Sequence, residues 1–139
     1  MDPKKYELTE ETKDFYGIKL FRIRRTSTGE LGGFVAAEKN LDQSGNAWVS
    51  GDARVYGNAQ VSGNARVRGD AWETTPLYIA GMKHSLSNSR HGHILIGCHE
   101  HTFAYWLDHY KAIGRAEGYS EEEIKQYGLF IELFVRVGK

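Results

Sequence analysis

Apolar and polar residues alternate in a six-residue cycle through the middle of the chain, over residues 45–74. Four complete units read Gly-[Asn/Asp]-Ala-x-Val-x, and a fifth, degenerate unit begins at Gly69. A period of six is typical of a β-helix, in which each unit forms one face of a triangular coil. Glycine with Asn or Asp suits the corners, whereas Ala and Val suit the buried side of a short strand. The pattern predicts a short β-helix of about two coils over residues 34–75.

The valines of the repeat are the predicted interior of this coil. Three units make one turn, so residues eighteen apart occupy equivalent positions on successive turns. Val49 and Val67 should therefore both point inward on one face, with Val55 and Val61 pointing inward on the other two. Counting back in sixes from Gly45 places two further, degenerate units at Gly33 and Lys39.

The N-terminal segment, residues 1–33, is predicted to cap the coil with strands. Two stretches, Lys4–Thr9 and Gly17–Arg25, have the composition of strands, and the second carries Ile and Leu among basic residues. Thr26–Gly29 is the predicted turn that leads toward the repeat.

The C-terminal segment, residues 76–139, is predicted to form a second, largely helical cap. It begins with a Ser-rich linker, Pro76–Arg90, and a short apolar strand, His93–Cys98. Thr102–Ile113 has its apolar residues on one side and predicts a helix, ended by the glycines that follow.

A second helix is predicted from Ser120 onward. Glu123 follows Ser120 by three residues, which is the spacing of a capping box. The apolar positions after it recur at helical spacing. The predicted fold is therefore mainly β with an α tail, arranged as a single compact unit in which two helices fold against the coil.

Composition narrows the possible functions. The chain has 139 residues, a formal net charge of zero and one cysteine. Zero net charge argues against bulk capture of nucleic acid or of anionic membranes. A single cysteine excludes an internal disulfide, and the N-terminus has no apolar run, so we expect a cytoplasmic protein. Because two coils bury a small core, we also expect a homo-oligomer, with a well-capped monomer as the alternative.

Three motifs together resemble a family of small phage and prophage β-helix proteins. They are GELGGF at Gly29–Phe34, the hexad array itself, and the tail motif Ile96-Gly97-Cys98 followed by His101 and Trp106. The resemblance implies a left-handed coil, a phage origin and action inside a bacterial cell. It implies no enzymatic activity and supplies no catalytic residue.

The outer wall of the predicted coil carries the first candidate site. Residues eighteen apart should lie side by side, which places Trp48 against Arg66 and Arg54 against Trp72. Arginine beside an aromatic ring suits the recognition of phosphates and bases. The same stacks could instead hold successive turns in register or pack against a neighbouring subunit. The candidate ligand-binding residues are Arg54, Tyr56, Arg66, Arg68 and Trp72, with His99 and His101 as candidate lining from the tail.

Three other kinds of chemistry have weaker support from the sequence. His91, His93, Cys98 and His101 supply enough donors for zinc, but not in a recognised spacing, and satisfied or solvent-facing histidines are the simpler interpretation. A Cys98–His nucleophilic pair is possible, although Cys98 ends an apolar strand where an inert thiol is commoner. Hexad proteins also include acyltransferases, but the repeat here has no histidine to act as a base.

Taken together, these features predict a non-enzymatic phage accessory protein without a cofactor. The simplest form of this hypothesis is a sponge for a small anionic, nucleotide-like host molecule, which counters a host defence signal. The alternative is a protein-binding module that inhibits a host factor, and a hexad acyltransferase-like enzyme is a third possibility.

Overall fold

A computed structural model of the chain describes residues 4–139. The fold is mainly β with two C-terminal helices. Its residues divide into two compact units, an N-terminal unit that ends at Pro76 and a C-terminal unit, Leu77–Lys139. The boundary falls where the hexad repeat ends. Each unit has its own core and is described separately.

The N-terminal unit contains seven strands and a 3₁₀ turn at Glu38–Asn40. In chain order its strands are β1 (Tyr6–Phe15), β2 (Ile18–Arg25), β3 (Leu31–Val35), β4 (Trp48–Val49), β5 (Arg54–Val55), β6 (Arg66–Val67) and β7 (Ala71–Trp72).

The C-terminal unit contains four strands and two helices. They are β8 (Tyr78–Ile79), β9 (Leu86–Arg90), β10 (His93–Ile96), β11 (His99–Thr102), α1 (Phe103–Ala116) and α2 (Glu121–Val137).

Short parallel strands stack on one another through the hexad region. β3, β5 and β7 pair in parallel, β4 pairs in parallel with β6, and Leu41 forms a parallel bridge with Val61. The four predicted inward positions of the repeat are all fully buried, which confirms the inward prediction: Val49, Val55, Val61 and Val67. Alternation along each short strand thus fills a shared apolar interior.

The spacing between paired strands changes along the repeat. Trp48 pairs with Arg66 at the predicted offset of eighteen, but Phe34 pairs with Arg54, twenty positions away. The degenerate units therefore begin at residues 31 and 37, and the prediction that they begin at Gly33 and Lys39 is wrong. Regular counting could not show the two extra residues of this turn.

One of the two extra residues, Gln43, binds the start of β1 through its side-chain amide. Gln43 accepts hydrogen bonds from the backbone N–H of Lys5 (2.8 Å) and of Tyr6 (3.2 Å) and donates one to the Tyr6 carbonyl (3.1 Å). β1 and β2 form an antiparallel hairpin, and β2 pairs with β3, so the hairpin covers an edge of the stacked parallel strands. Covering that edge removes a site for unwanted strand pairing.

The last hexad shifts by one residue in the opposite direction. Val55 pairs with Trp72, seventeen positions away, and Arg54 pairs with Ala71. Asp70 adopts a positive φ of 67°, which is uncommon outside glycine. As a result Trp72 points inward, is 1% exposed, and donates its indole N–H to the Gly69 carbonyl at 2.8 Å.

The strands of the C-terminal unit form an antiparallel sheet in the order β11-β10-β9-β8. β8 and β9 lie within Pro76–Arg90, so the prediction of a linker there is wrong. Asn88 is one of the buried polar residues of β9, and its amide donates to the carbonyls of Arg90 (2.8 Å) and His93 (3.0 Å). These two bonds link the residues on either side of the turn between β9 and β10.

Both predicted helices are present. Thr102 caps α1, and Ser120 caps α2 in a capping box, with Ser120 Oγ accepting from the Glu123 N–H at 3.1 Å. Gly114 was predicted to end α1, but it lies inside the helix, which continues to Ala116. It lies buried where a Cβ would be 2.9 Å from Ile124, so it permits close packing of the two helices. The apolar faces of the helices pack with β9 and β10 around Trp106, Ile131 and Phe134.

Within residues 4–139, neither helix combines the length and the apolar character that crossing a membrane requires.

Candidate functional site

A polar groove on the N-terminal unit is the candidate functional site, and we call it the arginine groove. Its volume is about 290 Å³, close to the lower limit of small-molecule sites, roughly 300–1,000 Å³. The residues that line it come from β2, the β2–β3 connection, β3 and the hexads: Arg25, Glu30, Leu31, Asn46, Trp48, Ser50, Arg66 and Arg68.

The pairing of β4 with β6 forms the floor of the groove. Trp48 lies directly opposite Arg66, and the Ser50 N–H donates to the Val67 carbonyl at 2.9 Å. Arg68 lies one residue beyond the end of β6, and both Arg66 and Arg68 line the groove. Regular eighteen-residue spacing thus brings together residues from two successive turns.

Arg25 forms the wall of the groove. Its guanidinium carbon lies 4.0 Å from the centre of the Trp48 ring, and its Nε lies 3.0 Å from Glu30 Oε1. A guanidinium stacked on indole is held in one plane while its remaining N–H groups stay available. Arg25 is therefore pre-oriented by an aromatic face and by a carboxylate.

Tyr6 supports Trp48 from the core. The two rings meet edge to face at a centroid distance of 6.4 Å, and the Tyr6 hydroxyl donates to the Leu41 carbonyl at 2.5 Å. Burial raises the pKa of Tyr6, and the nearby carboxylates of Glu38 and Asp42 raise it further. The phenol therefore remains a neutral hydrogen-bond donor in the physiological pH range.

The charges of the groove suit an anion. Three arginines line it with one carboxylate, Glu30, which is already paired with Arg25. Arginine forks bind phosphate and carboxylate through two parallel N–H groups, and Asn46 and Ser50 add smaller polar groups. The arrangement can hold and orient a small anionic molecule.

The groove contains two of the seven predicted ligand residues, Arg66 and Arg68. Trp72 is a correction: the one-residue shift in the last hexad buries it opposite Val55, so it cannot present an outer face to a ligand. The predicted alignment of Arg54 with Trp72 is wrong for the same reason.

Arg54 and Tyr56 belong to a different cluster of the N-terminal unit. The Arg54 guanidinium lies 4.8 Å from the centre of the Phe15 ring, and the Tyr56 and Phe15 ring centres are 5.6 Å apart. Both residues lie outside the lining of the arginine groove.

His99 and His101 lie on β11 of the C-terminal unit, where they take part in a row of stacked rings. Successive ring centres are 6.2 Å apart for His99 and His101, 4.1 Å for His101 and Tyr105, and 4.0 Å for Tyr105 and His109. His99 Nε2 also lies 2.8 Å from Glu117 Oε1, a hydrogen bond that lowers the pKa of the Glu117 carboxyl.

A cavity inside the C-terminal unit is a weaker candidate site. It is mostly apolar, with His84 and Tyr119 at its edge, where His84 Nδ1 lies 2.5 Å from the Tyr119 oxygen. Its volume is only about 40 Å³, room for a water-sized molecule. The described residues, 4–139, contain no cluster of three or more His, Cys, Asp or Glu side chains placed to hold a metal ion.

Sequence reasoning missed Arg25, Glu30 and Asn46. Asn46 had a visible signal, because the Gly-Asn step of the repeat recurs eighteen residues later at Asn64, and the two amides hydrogen-bond at 3.3 Å. Arg25 and Glu30 had no such signal, because the pairing of β2 with β3 and of β3 with β5 brings them to the repeat.

The stacked histidines predict a pH dependence of stability. Burial lowers the pKa of His101, positive charge on His99 and His109 lowers it further, and Glu100 opposes the shift. Below the usual histidine pKa of about 6.5, the unfolded chain binds a proton more readily than the folded one. The contribution of neutral His101 to stability is thus fully present above the unfolded pKa and is lost as pH falls below it and through the lowered folded pKa. We expect His101→Phe to flatten the fall in melting temperature below pH 6.5, whereas His91→Gln, on an exposed residue outside the stack, should not. An unchanged pH profile for His101→Phe would contradict this account.

No family model, no curated protein and no solved structure matches this chain.

Proposed function

We propose that this protein is a non-enzymatic binding protein whose arginine groove sequesters a small anionic, nucleotide-like molecule. The observation that carries the proposal is the convergence of Arg25, Arg66 and Arg68 on a groove of about 290 Å³ whose floor is Trp48. Three guanidinium groups in the lining of one groove favour a ligand with more than one negative charge, such as a diphosphate.

The positions of the groups suggest how the ligand lies. Arg66 on β6 and Arg68 just after it bind the phosphates, because both line the groove and neither is buried. The guanidinium of Arg25, held flat on Trp48, offers a planar surface for a base or sugar. Such side chains can bind and orient a ligand without catalysing a reaction.

The biological role proposed with this binding is that of a phage accessory protein that acts inside a bacterial cell. By holding a host signalling nucleotide, the protein would blunt a defence response. This part of the proposal rests on the resemblance of the motifs at Gly29–Phe34 and Ile96–His101 to small phage proteins.

We also propose that the hexad region is a left-handed β-helix of about two coils that self-associates. Four sets of parallel contacts, at offsets of seventeen to twenty residues, support the coil. Positive φ angles at Gly45, Gly51, Gly57 and Gly63, six residues apart, support its regular corners. A coil this short leaves strand edges that a second copy can cover.

Native mass spectrometry of protein purified from bacteria tests the sequestering function. We expect a phosphate-bearing small molecule to co-purify and to dissociate as salt is raised, because counterions screen the arginines. Added ADP, used as the probe, should bind the emptied protein. Protein that carries no such molecule and does not bind ADP at low salt would refute the proposal.

A further inference from the structure

Helix α2 carries apolar residues on two sides. One side packs into the core, with Ile131 and Phe134 buried. On another side Leu129, Leu133 and Val137 follow one another at intervals of four and are 60%, 42% and 63% exposed. Residues four apart lie along one side of a helix, so these three form a continuous stripe, which we call the α2 stripe.

Charged residues border one flank of the α2 stripe. Glu132 and Arg136 lie one turn apart on the same flank, and both are exposed. Neither side chain has a hydrogen-bond or ion-pair partner within residues 4–139. The helix thus presents an apolar strip with an unpaired acid and an unpaired base along its edge.

The order of these charges fits a second copy of the same helix. When two identical helices pack antiparallel about a two-fold axis, a given flank of one helix faces the same flank of the other. The two flanks run in opposite directions. With the axis at Leu133, Leu129 would face Val137 of the partner, and Glu132 would approach Arg136 of the partner. A parallel arrangement would bring opposite flanks together and leave both charges unpaired.

We propose that two copies of this protein associate through the α2 stripe, antiparallel and centred on Leu133. This surface belongs to the C-terminal unit and differs from the strand edges of the hexad region named above, and it does not depend on ligand binding by the arginine groove. The stripe is smaller than the roughly 800 Å² that each partner buries in a standard interface. We therefore expect a weak dimer, with a dissociation constant of about 10–100 µM.

A charge exchange on the flank tests the arrangement. Arg136→Glu should weaken dimerisation at least tenfold in sedimentation equilibrium, because Glu132 then faces a second carboxylate. The double variant Glu132→Arg/Arg136→Glu should restore it, because the pairs are complementary again. Lys125→Glu makes the same charge change on α2 beyond the predicted overlap and should leave the dimer unchanged.

Further measurements distinguish a failure of the α2 stripe from a failure of self-association or of ligand binding. Circular dichroism should show every variant folded, since the altered residues are exposed, and ADP binding should be unchanged in all of them. A wild-type protein that stays monomeric across a hundredfold range of concentration would overturn self-association altogether. Dimers that persist in Arg136→Glu and in Leu133→Asp would place the interface elsewhere and overturn the α2 stripe alone.

Discussion

Replacing Val61 with Asp is expected to abolish cooperative folding of the N-terminal unit. Val61 is fully buried, and it bridges in parallel to Leu41 on the preceding turn. An aspartate there would place a charge without a partner in an apolar interior, at a cost of several kcal/mol. Because domains are stable by only about 5–15 kcal/mol, we expect most of the variant to be unfolded at room temperature. Thermal unfolding followed by circular dichroism measures the effect.

The neighbouring position provides a matched control. Gln60 is exposed, so Gln60→Asp adds the same charge at the surface and should change the free energy of unfolding by less than about 0.5 kcal/mol. If Val61→Asp unfolded at the same temperature as Gln60→Asp, this result would contradict the claim that the valines of the repeat stack in a buried interior.

Replacing both Arg66 and Arg68 is expected to weaken ADP binding at least tenfold. Arg66 and Arg68 both line the groove, and hydrogen bonds to charged groups contribute about 1.5–3 kcal/mol each. The double variant Arg66→Ala/Arg68→Ala should keep its fold, because neither side chain belongs to the buried core. Isothermal titration calorimetry at low and high salt measures the affinity.

Arg24→Ala is the control for this pair. Arg24 is an exposed arginine of β2 that pairs with Glu7 and lies outside the groove lining. Its removal lowers the positive charge of the unit without touching the proposed contacts, so affinity should stay within about twofold. Equal losses in Arg24→Ala and in the double variant would indicate general attraction rather than a site.

The repeat predicted the interior of the N-terminal unit because a fixed period repeats the same local chemistry. Val49 and Val67 occupy equivalent buried positions, and Trp48 lies beside Arg66. Where the period is broken, counting in sixes predicted the wrong strand pairing. The extra residues near Gln43 and the shift at Asp70 are departures from the period, and the second of them turned the predicted ligand residue Trp72 inward.

The sequence was less informative about residues brought together by long-range pairing. Arg25 reaches Trp48 only through the hairpin and its connection to the repeat, and no periodic pattern records that contact. The same limit applies to β9, whose polar sequence resembles a linker although Asn88 donates to the backbone carbonyls of Arg90 and His93.

The indole N–H signals of the three tryptophans, followed by NMR during titration with ADP, test the central claim most directly. Trp48 lines the arginine groove, whereas Trp72 and Trp106 donate their indole N–H groups to buried backbone carbonyls, of Gly69 and Ile94. Ligand binding in the groove predicts that the Trp48 signal shifts progressively to saturation while the other two change little. A saturable shift of the Trp106 signal with Trp48 unmoved, or no shift of any of the three at saturating ADP, would contradict the account.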